Sequence, residues 1–164
     1  MKILLILIII ICFVFLGVGL SKYYTERKKF FLEFGLFVSN INSNINFGRE
    51  KIINIIEKYE IKNKSLELQK LCDNYVNALR NKNLIDGRIF DGITILKNDE
   101  KQLLQNFFGM LGKFDIYSQS KEIASYSARF EEIYSEVNKD CKKYASLIIK
   151  LSLVLGLLVC LLII

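Results

Sequence analysis

The chain has 164 residues, 52% of them hydrophobic, and a net charge of +6, with no histidine, proline or tryptophan. Lacking histidine, it has neither the usual general base nor the commonest metal ligand. No Gly-rich phosphate loop or metal-ligand spacing takes its place, so the residues predict no catalytic, cofactor-binding or metal-binding position and no enzyme. The positive charge does not form a basic stripe interleaved with aromatics, which argues against nucleic acid as a partner, and nothing points to a small-molecule substrate.

Residues 3–20 run as "ILLILIIIICFVFLGVGL", without a charge. A helix of that length reaches about 27 Å, close to the hydrocarbon thickness of a bilayer. The run is longer than the apolar region of a secretory signal, no A-x-A-like site follows it, and Cys12 is preceded by isoleucines. The expectation is an uncleaved transmembrane anchor. Lys22, Arg27, Lys28 and Lys29 come next, and then a helix to Phe47 with apolar residues at Phe30/Phe31, Phe34, Phe37/Val38, Ile41 and Ile45. Within it the alternation of "SNINSNINFG" also suits a strand. Gly48 is the expected break.

A second helix is predicted from Arg49 to about Tyr59, and a third from Ser65 with Leu68, Leu71/Cys72, Tyr75/Val76 and Leu79 on one face. The stretch 80–98 is a turn region, punctuated by Gly87 and Gly92. Its "DGRIFDG" lacks the acidic ladder and closing Glu of a cation loop and reads as a plain turn. Asn98 or Asp99 is the expected cap of a fourth helix through Phe108, with Leu103/Leu104, Phe107/Phe108 and Leu111 as its core face and Gly109 and Gly112 flanking its end.

Asp115 is placed to cap a last helix running unbroken from Ile116. Ile123, Tyr126, Phe130, Ile133, Val137, Cys141, Tyr144 and Ile148 follow near-heptad spacing along it, with Cys141 one place off register. A seam inside one bundle accounts for this better than an intermolecular coiled coil. Residues 147–164 form the second predicted span; Lys150 lies near its start, where its long stem can carry the ammonium back to the headgroups.

Three regions follow: a transmembrane helix at 3–20, a helical-bundle domain at 22–146 and a transmembrane helix at 147–164. Lysine and arginine cluster on the inner side of both spans, at Lys22, Arg27, Lys28 and Lys29 and at Lys139, Lys142 and Lys143. This bias predicts a two-pass cell-membrane protein with its central domain in the cytoplasm and its basic residues near anionic lipid. There Cys72 and Cys141 are expected as reduced packing residues. The fold class is all-α, an antiparallel bundle of about five to six helices anchored at both ends.

The stretch "LGKFDIYSQSKEI", Leu111 to Ile123, resembles a pattern in the stage III sporulation protein AB family: Leu111-Gly112, then Asp115, Gln119 and Ile123. An N-terminal anchor, a basic stretch, a helical domain and a terminal "LGLLVCLLII" extend the resemblance over essentially the whole chain. Phe114 stands where the family often has Ser, and Phe47-Gly48-Arg49 where it often has Pro. The resemblance implies a non-enzymatic scaffold of the channel between mother cell and forespore, related to the cytoplasmic domains of type II secretion and type IV pilus platform proteins. It implies as partners other channel membrane proteins, a cytoplasmic secretion-type ATPase and membrane lipid. The five motif residues would be structural or partner-binding. Two alternatives stay open: a two-span regulatory or signalling protein, and a platform subunit of a type II secretion or type IV pilus system.

Overall fold

The computed structural model describes residues 2–48, 52–59, 65–82, 84–111 and 116–163. These residues build α1 (Lys2–Gly48), α2 (Ile52–Lys58), α3 (Leu66–Arg80), α4 (Asn98–Met110), α5 (Ile116–Asp140) and α6 (Ser146–Ile163), with no strand among them. A 3₁₀ turn covers Gly87–Phe90 and a π turn, Cys141–Ala145, joins α5 to α6. The all-α expectation holds. The chain divides into two compact units, 1–28 with 135–164, and 29–134.

In the first unit the start of α1 and α6 pair in antiparallel fashion. Ser152, Gly156 and Cys160 stand four residues apart on the buried face of α6. An added Cβ on Gly17 would lie 1.9 Å from Ser152 Oγ and 2.9 Å from its Cβ, and one on Gly156 would lie 3.0 Å from Phe13 Cβ. Cys160 Sγ approaches the Ile6 carbonyl at 3.7 Å. Small residues let two backbones approach where the surroundings are apolar and packing must do the work that water does elsewhere. The Ser152 hydroxyl is satisfied within its own helix by the carbonyls of Ile148 and Ile149. The outward faces carry Leu7, Ile8, Phe15, Leu16, Leu153, Leu157 and Leu161, all exposed. Both helices are long and apolar enough to cross a membrane, and only 11% of each 18-residue apolar stretch is buried, unlike a soluble core helix.

The off-register cysteine stands at a π turn. A π turn takes up one more residue than an α turn. Cys141, one place late in the heptad series, opens the π turn Cys141–Ala145.

The second unit is organised around aromatic rings. Phe30, Phe31, Phe34 and Phe37 of α1 are buried, as the helical spacing predicts, with Phe107 and Phe108 of α4, Phe130 of α5 and Tyr75 of α3. Phe34 is central: its ring lies 4.7 Å from Phe130, 5.7 Å from Phe107 and 6.1 Å from Phe108, all edge-on. Helices α1 and α5 run antiparallel, with Phe34 against Phe130 and Asn46 against Ser120. The asparagine-rich end of α1 is helix rather than strand. Asn44 donates to Asn40 and Asn46 to Asn42, each one turn earlier, so amide pairs offset their weak helix preference.

Several boundaries differ from expectation. The helix predicted from Arg49 to about Tyr59 is Ile52–Lys58 among the described residues, its predicted start at 49–51 lying outside them. The cap of α4 is neither Asn98 nor Asp99 but Lys97, whose extended backbone lets its N–H donate to the Glu100 carboxylate at 2.8 Å. Gly109 lies within α4 rather than beyond it. The turn region holds buried Ile89, Phe90, Ile93, Ile95 and Leu96, so it belongs to the core. Gly92, at φ +75°, makes the left-handed turn that a side chain disfavours.

Candidate functional site

Two buried long-range hydrogen bonds fix helix α3 to α1 and α4. The Ser65 backbone N–H, at the start of α3, donates to the buried Glu33 carboxylate of α1. A carboxylate there satisfies a free helix N–H and meets the positive end of the helix dipole. Farther along, the buried Tyr75 hydroxyl donates to the Phe108 carbonyl at 3.1 Å. Burial pushes the Tyr75 phenol well above its ordinary range.

Between α2 and α3 lies a cleft of about 480 Å³, lined by Tyr59, Leu68, Cys72, Asp73 and Val76 among others, with an Arg80–Glu57 ion pair on its wall. The Tyr59 phenol is pushed up by burial first, then by Cys72 and Glu33. A shallower groove of about 240 Å³ runs between α1 and α5, floored by Phe31 and Phe130 and edged by exposed Leu32 and Leu36. Neither depression places a nucleophile against a base. Among the described residues no group of three His, Cys, Asp or Glu could hold a metal ion.

The predicted motif residues gather where α4 ends and α5 begins. Leu111 and Ile123 are buried. Gln119 is 5% exposed, and its amide nitrogen finds no hydrogen-bond partner among the described residues. Gly112 and Asp115, with the predicted cap, lie outside the described residues. Beside Gln119, the Ser120 hydroxyl donates to Asn42 and accepts from Asn46. The three described motif side chains therefore face the interior of the bundle.

Compared with known families, residues 2–164 match stage III sporulation protein AB. The chain belongs to the stage III sporulation protein AB family. No curated protein and no solved structure matches it.

In this family member the basic residues divide by exposure. Lys22, Lys139, Lys142 and Lys143 are exposed, and Lys28 and Lys29 are half-buried. Arg27 is only 4% exposed; its guanidinium lies 5.7 Å from the centre of the Tyr23 ring, and Nη1 donates to the Tyr23 hydroxyl at 3.4 Å. Arg27, one of the membrane-proximal basic residues of the sequence, is thus buried against its own helix.

Sequence reading missed the Gly17–Ser152 contact and the Glu33–Ser65 bond. The small-residue spacing of Ser152, Gly156 and Cys160 was visible in the sequence and would have marked one side of the seam. Nothing local marked the partner of Glu33, which lies 32 residues away.

Proposed function

We propose that this protein is a membrane-anchored, non-enzymatic platform subunit of the channel joining mother cell and forespore during endospore formation. Its middle would face the mother-cell cytoplasm and dock a secretion-type ATPase onto other membrane subunits. The observation that carries the sporulation role is the family match over residues 2–164. Two features support scaffolding. Both ends carry helices long and apolar enough to cross a membrane. Between them lies a helical unit with an aromatic core. The cluster of Lys22, Arg27, Lys28 and Lys29 after the first apolar run, and of Lys139, Lys142 and Lys143 before the second, supports a cytoplasmic middle.

The test is deletion of the gene in its native host, scored by forespore volume and spore yield after engulfment. Shrunken forespores and lost spores, restored by the full gene but not by one truncated before Leu147, are expected. Normal spores would overturn the channel reading and turn attention to secretion or signalling.

A further inference from the structure

The pairing of α1 with α6 fixes the depth of each charged residue in the first unit. Gly17 faces Ser152, Phe13 faces Gly156 and Tyr24 meets Tyr144 with ring centres 5.6 Å apart and planes tilted by 33°. In this antiparallel register a step along one helix answers an equal step back along the other. Lys150 falls level with residues 18–19, and Lys22 level with residues 146–147. The two ammonium-bearing positions are therefore about 6 Å apart along the helix axis, one helical turn. Lys150 is thus less an intruder in the second apolar run than the inner edge of a band shared by both helices.

The same band holds Tyr23, Tyr24 and Tyr144, with Lys142 and Lys143 just beyond; the Lys143 ammonium lies 5.0 Å from the centre of the Tyr144 ring. Lys22, Lys142, Lys143 and Lys150 are all exposed. Residues 1–25 and 141–164 contain no Asp or Glu. Of the carboxylates of this unit, Glu26 falls level with Lys142 and Lys143, and Asp140 and Glu136 lie farther from the apolar runs. Tyrosines and lysines at the end of an apolar helix pair match the headgroup layer: rings tolerate its mixed polarity and ammonium groups seek its phosphates.

Resting on the reading that the two apolar helices span a membrane, we propose that Lys22, Lys142, Lys143 and Lys150 form a collar that selects anionic phospholipid. Their ammonium groups meet the phosphodiester of headgroups that carry no cation of their own. Lys150, the deepest, draws a phosphate toward the hydrocarbon edge.

The experiment uses the full-length protein in phosphatidylcholine vesicles with trace spin-labelled phosphatidylglycerol or spin-labelled phosphatidylcholine, read as the motionally restricted fraction by electron paramagnetic resonance. At low ionic strength a preference of about fivefold for phosphatidylglycerol is expected, a scale set by one lysine at a charged surface. It should fall to near parity in the K22Q/K142Q/K143Q/K150Q variant. It should survive replacement of the same four by arginine, which controls for folding, and survive Lys139→Gln, beyond the band. Parity in the wild type, or an undiminished preference in the glutamine variant, would overturn the collar. If neither lipid shows a restricted component and carbonate extracts the protein, the spanning reading itself fails, and the collar with it.

Discussion

The unit of residues 29–134 and the unit of 1–28 with 135–164 share two long helices but bury opposite kinds of residue. In the first, α1 turns Phe30, Phe34 and Phe37 inward. In the second, the same helix turns Gly17 inward and leaves Leu7, Phe15 and Leu16 outside. Water drives large apolar side chains together, so a bundle in water grows around its rings. Where the surroundings are themselves apolar, that drive vanishes and close backbone approach decides which residues meet. Burial pattern, more than hydrophobicity, is what distinguishes the two regions.

Three measurements would break or sharpen the comparison. The largest effect is expected at Phe34→Ala, which empties the centre of the ring cluster. A loss of about 3–5 kcal/mol should lower the thermal midpoint followed by circular dichroism in detergent. An unchanged midpoint would mean that the rings are not what holds this unit. Next comes Gly17→Leu, for which Ser152 leaves no room. Overpacking costs about 1–3 kcal/mol and should act on the helix pair alone. Ile6→Cys can be cross-linked to the native Cys160, whose sulfur already lies 3.7 Å from the Ile6 carbonyl. The yield should drop with Gly17→Leu and stay unchanged with Phe34→Ala; the reverse pattern would erase the distinction.

The smallest effect lies at the exposed turn. Hydrogen bonds from the Arg88 side chain and backbone hold the Asp86 carboxyl below the usual aspartate value. A carboxyl depressed in the folded state contributes stability at pH above its unfolded value. That contribution fades as pH falls through the folded value. In a carboxyl-carbon NMR titration, Asp86 should titrate low in the wild type and move upward in Arg88→Ala. An identical midpoint in both would remove the turn's ionic tie.

Much of this was legible in the sequence. Helical spacing marked Phe30, Phe34, Phe37, Ile41, Leu68, Tyr75 and Phe107 as core, because a 3.6-residue period is a local signal. Even the position where α5 changes character showed as one late cysteine. Of the seam in the apolar pair only the α6 side, Ser152, Gly156 and Cys160, was written in a local spacing; length and hydropathy identify a span without saying what its face meets. The burial of Arg27 did not show, because charge alone says nothing of burial. The cap at Lys97 was missed because it depends on extended backbone and a carboxylate reaching back. Glu33 and Ser65 meet only once α1 and α3 are folded together.

The Gly17–Ser152 contact has a consequence for inheritance. With 1.9 Å between a would-be methyl and the serine oxygen, a side chain at 17 and the serine at 152 compete for one space. A lineage that acquired alanine at 17 would keep its helix pair most readily by trading Ser152 for glycine. Two positions 135 residues apart are thus expected to vary together.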